Sequence, residues 1–286
     1  MATGTVCYLN AGATSLAAGN WSDATGITAA NAWCVINTGS QSITGGLTTT
    51  AGGFDILDIE SGFSGNIGSS IGSLSIEGST TYTTGLQISR LKYNASGGSL
   101  WYSANGAGTD KLMLFLQAGS GTSILTGAWT LREFVLDSGR CTMAYTVVSE
   151  ASYEWLVSGG TVTFAYDSSA TSIHNLTVLG GVVQLGRGVQ TLLFVAGGTV
   201  IIDAGALTYA AITQTGGRVV VLNAGTGAAT GITAYVLKGG ELDLSTLQRP
   251  LIIGTMTHYT AGTVKKNNLL TITTNIPRGL GAAGLR

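Results

Sequence analysis

The stretch Trp155-Leu-Val-Ser-Gly-Gly-Thr-Val-Thr-Phe164 contains the pattern that decides the fold of this chain. Apolar and polar side chains alternate around the Gly159-Gly160 pair, and a period of two residues is typical of β-strands. Glycine accepts backbone angles that other residues rarely adopt, so the pair permits a sharp corner between two short strands. The stretch therefore predicts a strand, a corner and a second strand.

The same unit recurs along most of the chain, for example in residues 176–185, 193–202 and 235–244. Corners with a small residue and glycine occur at residues 76–78, 96–98, 117–119, 137–139, 158–160, 179–181, 196–198, 215–217, 238–240 and 260–262. Their spacing averages about 20 residues, which is typical of solenoid repeats. We therefore predict an all-β fold, a right-handed parallel β-helix (β-solenoid) of about ten rungs of ~20 residues each.

The composition suits stacked turns. The 286 residues include 44 Gly but only 2 Pro, and 9 % of the side chains are charged. The glycines have no three-residue period, which excludes collagen, and 44 % hydrophobic content argues against disorder. Stacked turns lie about 4.8 Å apart, so a charge repeated at one position would repel its copy. Scarce charge is thus an expected consequence of the architecture.

The regular repeat does not cover both ends of the chain. We interpret residues 1–72 as an irregular N-terminal cap or attachment region, 73–270 as the β-helix, and 271–286 as an extended basic C-terminal tail. Pro277 is expected to end strand pairing there. No apolar run is long enough to span a membrane, and residues 1–20 contain no Lys or Arg. We therefore expect neither a transmembrane helix nor a secretory signal.

Charge is segregated along the sequence, although the net charge is only −1. Residues 1–89 carry −5, residues 90–243 carry −1, and residues 244–286 carry +5. The basic end could be simply solvated, dock on an acidic protein surface, or contact the acidic end of another copy. Its positive charges are spread out and lack interleaved aromatic residues, so we expect no nucleic-acid partner. The small net charge likewise gives no reason to expect a membrane partner.

The candidates for catalytic chemistry are few. Glu241 and Asp243 stand two positions apart in a predicted strand, roughly 6.5 to 7 Å apart, as in an inverting glycosidase pair. We nevertheless expect both to lie on a solvated face. His174 and His258 are expected to be surface strand residues. Because no triad, cofactor motif or metal-ligand spacing accompanies these residues, we predict no catalytic residue, no cofactor and no metal, and hence no enzyme.

Three cysteines occur at unrelated spacings, Cys7, Cys34 and Cys141. They offer neither a zinc pattern nor a full disulfide framework. We expect buried thiols in a reducing compartment, with a Cys7–Cys34 bridge as the alternative.

Three stretches resemble a known family. They are Phe54-Asp-Ile-Leu-Asp-Ile-Glu-Ser-Gly-Phe-Ser-Gly-Asn-Ile-Gly68, His174-Asn-Leu-Thr-Val-Leu-Gly-Gly-Val-Val-Gln-Leu-Gly186, and Lys238-Gly-Gly-Glu-Leu-Asp-Leu-Ser245 followed by Arg249-Pro250. They are similar to segments of the β-helical proteins encoded in the head-morphogenesis modules of tailed bacteriophages. The resemblance covers roughly residues 50–260.

The resemblance implies a structural virion protein, a capsid decoration or cement protein. Its expected partners are the major capsid protein and further copies of itself in a homotrimer. We expect it on the capsid surface after synthesis in the host bacterial cytoplasm. Alternatives are a phage tail fibre or tailspike that binds a receptor, and a β-helix polysaccharide lyase or hydrolase. We predict partner contacts near both termini, at Asp55, Asp58, Glu60, Phe63, Lys265, Lys266, Arg278 and Arg286.

Overall fold

A computed structural model of the chain describes most of its repeated region and parts of its N-terminal region. The described residues are 6–14, 18–20, 22–23, 32–41, 43, 54–67, 74–76, 90–104, 111–127, 129–144, 147–149, 153–165, 173–186, 189–203, 208–223 and 230–279. The chain divides into two compact units, Met1–Val148 and Ser149–Arg286.

Short β-strands make up nearly all the regular structure. The strands up to the boundary between the units are β1 (Val6–Tyr8), β2 (Ala32–Ile36), β3 (Phe54–Ile59), β4 (Leu74–Ile76), β5 (Arg90–Tyr93), β6 (Ser99–Ala104), β7 (Lys111–Gln117), β8 (Thr122–Gly127), β9 (Trp129–Leu136), β10 (Arg140–Met143) and β11 (Val147–Ser149). The described residues contain no α-helix, and their single 3-10 turn spans Ala18–Asn20. No helix in this part of the chain is long and apolar enough to cross a membrane.

The second unit contains longer and more regular strands. They are β12 (Glu154–Val157), β13 (Thr161–Phe164), β14 (Ile173–Val178), β15 (Val182–Leu185), β16 (Val189–Val195), β17 (Thr199–Ile202), β18 (Thr208–Gln214), β19 (Arg218–Val221), β20 (Thr230–Leu237), β21 (Gly240–Asp243), β22 (Leu251–Tyr259), β23 (Gly262–Lys265) and β24 (Leu270–Arg278).

The strands of each unit belong to two parallel sheets, and after the consecutive strands β1, β2 and β3 each strand pairs with the strand two places further along the chain. In the first unit the orders are β1-β2-β3-β5-β7-β9 and β4-β6-β8-β10. In the second unit they are β12-β14-β16-β18-β20-β22-β24 and β13-β15-β17-β19-β21-β23. This alternation is the connectivity of a β-solenoid, and the predicted fold class is confirmed. The solenoid has about eight turns, slightly fewer than the ten predicted. The first predicted corner, at residues 76–78, lies mostly outside the described residues.

The predicted glycine corners have a clear physical basis in the second unit. Gly198 and Gly217 have φ values of +68° and +64°, a left-handed conformation that favours glycine. A Cβ at Gly198 would lie 2.5 Å from the carbonyl oxygen of Gly181, and one at Gly217 would lie 2.6 Å from that of Gly198. The same carbonyls accept hydrogen bonds from the next turn, including Arg218 N to Gly198 O at 2.9 Å. Stacked corners therefore require glycine for conformation and for space.

The interior is largely apolar, but two glutamine side chains are buried near its corners. Gln117 and Gln214 are fully buried at the ends of β7 and β18. The Gln214 side-chain amide donates to the carbonyls of Gly217 and Glu241, and its oxygen accepts from the Tyr235 hydroxyl at 2.6 Å. Each buried glutamine thus satisfies carbonyls in its own turn and in the next one.

Candidate functional site

Four charged side chains form a ladder across three neighbouring strands of the second unit. Pairing register sets Arg218 of β19 opposite Glu241 of β21, and Asp243 opposite Lys265 of β23. Arg218 Nε lies 2.9 Å from Glu241 Oε1, and its Nη2 lies 2.6 Å from Asp243 Oδ2. Lys265 Nζ lies 3.0 Å from Glu241 Oε2. We call these four residues the charged ladder. Opposite charges on successive turns attract, so stacking favours them where it would disfavour a repeated charge.

The charged ladder corrects the prediction that Asp243 lies on a solvated face. Asp243 is only 3 % exposed and caps the end of β21, where it also accepts hydrogen bonds from the Ser245 backbone N–H at 3.0 Å and hydroxyl at 2.6 Å. Strand alternation breaks down here, because Leu242, Asp243 and Leu244 are all buried. The carboxylate tolerates burial because Ser245 and Arg218 replace its lost water contacts.

These contacts also decide what the two carboxylates can do chemically. Hydrogen bonds from Ser245, followed by the hydrogen bond and charge of Arg218, lower the pKa of Asp243 to about 2 although burial opposes them. An inverting glycosidase needs one protonated carboxylic acid, whose pKa is raised. Asp243 is therefore ionised at neutral pH, and Glu241 is held by two cations. The pair is arranged as a structural ion-pair network.

Neither histidine is simply a solvated strand residue. His174 is half-buried, its backbone N–H donates to the Ser149 hydroxyl at 2.7 Å, and its Nδ1 lies 3.1 Å from both oxygens of Ser149. His258 Nε2 lies 2.8 Å from the carbonyl of Gly262, across a corner. The His174 imidazole thus contacts a neighbouring turn, whereas the His258 imidazole contacts a backbone carbonyl across the corner that follows its own strand. Within the described ranges, no group of three or more His, Cys, Asp or Glu side chains could hold a metal ion.

Two of the acidic N-terminal candidates, Asp58 and Glu60, have different surroundings. Asp58 is buried, and its Oδ2 lies 3.6 Å from Lys92 Nζ on the paired strand β5. Lys92 in turn lies over the Trp33 ring, 5.6 Å from the ring centroid. Asp58 therefore joins neighbouring turns. Glu60 is exposed, so a partner contact there stays a prediction.

The last two N-terminal candidates are a core residue and a strand residue. Phe63 is fully buried, so the prediction that it contacts a partner is wrong: its ring fills the core of a turn. Asp55 lies in β3, but its side chain is outside the described residues.

The basic C-terminal candidates divide in the same way. Lys265 belongs to the charged ladder, with its side chain half-exposed. Lys266 and Arg278 are exposed, and Arg286 lies outside the described residues. The predicted contacts that remain open on the surface are therefore Glu60, Lys266 and Arg278.

The predicted tail starts inside a strand. Residues 270–278 form β24, the longest strand together with β22 among those described, and Pro277 pairs in register with His258. The prediction that Pro277 ends strand pairing is wrong. Proline has no N–H to donate, but β24 is the last strand of its sheet in the described order. An edge strand needs donors on one side only, so it tolerates proline.

The last strands of the two sheets, β23 and β24, form what we call the C-terminal edge. Their inward side chains Val264 and Ile272 are only half-buried. In the preceding turn, Leu242 and Ile253 are fully buried at the positions paired with Val264 and Ile272. No described strand pairs with the outer side of β23 or β24. The C-terminal edge thus combines apolar surface with unpaired backbone groups.

Strand β1 and the described residues of segment 18–23, namely 18–20, 22 and 23, form the N-terminal edge, which is closed. Ser22 and Tyr8 share two hydrogen bonds. The Ser22 backbone N–H donates to the Tyr8 carbonyl at 2.8 Å, and the Ser22 hydroxyl accepts from the Tyr8 N–H at 2.9 Å. Asn10 N donates to Asn20 O at 2.8 Å. The inward side chains Cys7 and Leu9 are buried. Residues 1–72 also contribute β1, β2 and β3 to the parallel sheet, so the solenoid begins earlier than the repeat indicates.

No family model matches this chain, and neither a curated protein nor a solved structure matches it.

Sequence reasoning missed the partners that make these sites. Arg218 stands about one turn before Glu241, and Lys265 about one turn after Asp243, so opposite charges at the repeat spacing were the available signal. No comparable pattern marks Ser245 or the open C-terminal edge, because both depend on where the last turn of the solenoid ends.

Proposed function

We propose that this protein is a structural component of the tailed-bacteriophage virion, a decoration protein bound to the capsid surface as a homotrimer. Its partner in this proposal is the major capsid protein. The resemblance of three sequence stretches to β-helical head proteins supports the assignment, and the β-solenoid fold is compatible with it. Because β-helices occur among enzymes as well as structural proteins, the proposal needs an observation specific to this chain.

The open C-terminal edge carries the proposal. The backbone groups on the side of β24 that faces away from β22 are free to pair with an added strand, as in β-strand addition. Its half-buried Val264 and Ile272 would gain burial from the same contact. A protein that attaches to a shell needs such a surface, and repeated copies on a shell would multiply a modest affinity.

Charge specifies the partner's chemistry. Lys266 and Arg278 flank the C-terminal edge and are exposed. Two edges of this kind would repel each other, whereas an acidic strand-forming segment would be attracted. We therefore propose that an acidic segment of the capsid protein adds to β24.

The test is binding to capsid shells of the phage that encodes this chain, assembled without decoration protein. We expect purified wild-type protein to cosediment with the shells, with binding weakened by salt. The double variant Lys266→Glu/Arg278→Glu should reduce binding at least tenfold. Lys238→Glu is the matched control, an exposed lysine at the corner between β20 and β21, and should bind as the wild type does.

The outcomes separate the two parts of the proposal. Absence of wild-type binding at any salt concentration would overturn the capsid assignment. Binding that tolerates the double variant as well as the control would overturn attachment through the C-terminal edge. Light scattering on the free protein measures the homotrimer, and a monomer at micromolar concentration would contradict that part alone.

A further inference from the structure

Two cysteines lie directly opposite each other at the N-terminal edge. Cys7 of β1 pairs in register with Cys34 of β2, between the pairs Val6 with Trp33 and Tyr8 with Val35. Both thiols point into the interior and are fully buried. Inward side chains on neighbouring turns stack on one another, so register places the two thiols next to each other in one inward column.

The spacing of the strands suits a covalent bond. Paired strands lie about 4.8 Å apart, within the range of roughly 4.4 to 6.8 Å between the Cα atoms of disulfide-bonded cysteines. The same inward column continues through Leu57 and Leu91 to Phe115 and Phe134. The Phe115 and Phe134 rings stack with centroids 5.8 Å apart and an interplanar angle of 7°. The two rings show that opposed side chains in this column can make direct contact.

We propose that Cys7 and Cys34 are a disulfide site that forms when the reduced protein meets a disulfide oxidant such as oxidised glutathione. The bond would fasten the edge strand β1 to β2 and close the loop that carries segment 18–23. The proposal does not depend on the capsid assignment.

The chemistry is two successive thiol–disulfide exchanges. One cysteine thiolate attacks oxidised glutathione, forming a mixed disulfide and releasing one reduced glutathione. The second thiolate attacks the protein sulfur of that mixed disulfide, forming the Cys7–Cys34 bond and releasing the second glutathione. Two protein thiols are oxidised and one glutathione disulfide is reduced. The two thiol protons pass to water or to the released thiolates.

Burial controls the rate of this reaction. It raises the pKa of the Cys34 thiol, with Cys7 adding to the effect, and it also raises the pKa of Cys7, with Asp23 adding to the effect. Few thiolates are present at neutral pH, and the oxidant reaches them only when β1 opens. We expect slow formation at pH 7 and faster formation at pH 8.5.

Cys141 is an internal control. It is also buried, but its register partner on β8 is Ser123. All three cysteines are buried, so burial alone would not make Cys7 select Cys34. Selective formation of the Cys7–Cys34 bond would therefore show that strand register determines the pairing.

The experiment is mass spectrometry of the whole protein, reduced, exchanged into oxidised glutathione at pH 8.5, quenched with acid and alkylated in urea with N-ethylmaleimide. Trypsin separates the sites, because residues 1–90 contain both Cys7 and Cys34 while Cys141 begins the peptide 141–187. We expect peptide 1–90 to lose two hydrogens and carry no maleimide, and peptide 141–187 to carry one. Amide exchange in β1 should slow about tenfold or more in the oxidised protein.

Two variants and one control complete the test. Cys141→Ser should keep the bond, whereas Cys34→Ser should leave Cys7 as a free thiol or a glutathione adduct. Two maleimides or two glutathiones on peptide 1–90 of the wild type would overturn the proposal, as would a bond to Cys141. If the urea-unfolded chain pairs Cys7 with Cys34 just as exclusively, the register is not the cause and the proposal fails.

Discussion

The N-terminal edge and the C-terminal edge end parallel sheets of the same kind in different ways. At the N-terminal edge, segment 18–23 bonds to β1 and the inward side chains Cys7 and Leu9 are buried. At the C-terminal edge, no described strand covers β24, and Ile272 stays half-buried.

The difference shows what a solenoid must supply at its ends. Each turn buries the one before it, so the last turn depends on something other than repetition. At the N-terminal edge, an irregular segment of the chain covers the last turn. The C-terminal edge instead carries a charge and a proline, because Lys265 belongs to the charged ladder and Pro277 lies on the edge strand. No irregular segment among the described residues covers this edge, so it remains available to a partner.

The largest effect is expected from a charge placed in the closed column. Cys34→Asp puts a carboxylate without a partner between Cys7 and Leu57, and should lower the free energy of unfolding by about 3 to 5 kcal/mol. In Ile272→Asp at the C-terminal edge, the new carboxylate can reach water, so the free energy of unfolding should fall by only about 1 kcal/mol. Urea unfolding followed by circular dichroism measures both. Equal losses would remove the distinction between a closed and an open edge.

A second comparison uses two isoleucines in register within the second unit. Ile253 on β22 is fully buried and pairs with Ile272 on β24. Ile253→Ala should lower the free energy of unfolding by about 3 kcal/mol, and Ile272→Ala by about 1 kcal/mol, because only the first leaves a cavity. Urea midpoints again report the difference. A cost at Ile272 as large as at Ile253 would indicate that the C-terminal edge is covered in solution.

The charged ladder predicts a pH dependence of the strands beside the C-terminal edge. The pKa of Asp243 falls from an ordinary 3.8 to about 2 on folding, so its stabilisation is complete above about pH 4 and is lost as pH falls toward 2. Asp243→Asn should lower the free energy of unfolding by about 1 to 2 kcal/mol at pH 7. It should also reduce the loss of stability that the wild type shows between pH 4 and pH 2.5. Urea midpoints at pH 7, 4 and 2.5 measure it, and an unchanged acid response in the variant would contradict the assignment.

The smallest effect is expected at the hydroxyl that helps close the N-terminal edge. Ser22→Ala removes the acceptor of the Tyr8 N–H and should cost about 0.5 to 1 kcal/mol, seen as faster amide exchange in β1. Thr271→Ala, on the exposed outer side of β24, is the control and should leave exchange in β1 unchanged. If the amide exchange rate in β1 is the same in Ser22→Ala as in the wild type, contacts other than the Ser22 hydroxyl stabilise the N-terminal edge.

Local signals in the sequence predicted most of the fold. Alternation and glycine pairs identified strands and corners because both are dictated within a few residues, as at Gly198 and Gly217. They misjudged Pro277, because proline excludes a central strand and permits an edge strand, and position in the sheet is not local. They also misjudged Phe63, because a short irregular segment gives no period from which burial could be inferred.

The candidate site was less predictable than the fold. Asp58 and Asp243 are acidic residues in strands, and composition alone suggests that such residues face water. Each tolerates burial because a cation lies on a neighbouring turn, Lys92 on the next turn for Asp58 and Arg218 on the preceding turn for Asp243. Those partners lie more than 20 residues away in the chain, so residue type without register could not identify them.

What the amino-acid sequence determined by itself is the repeating unit of short strands and glycine corners, because both follow from backbone sterics and side-chain period. The tertiary structure decided which side chains meet across turns. Register set Cys7 against Cys34 and Arg218 against Glu241, and it left Ile272 uncovered while Ile253 is buried. Contacts between turns depend on how the turns stack, and stacking is a property of the whole sheet.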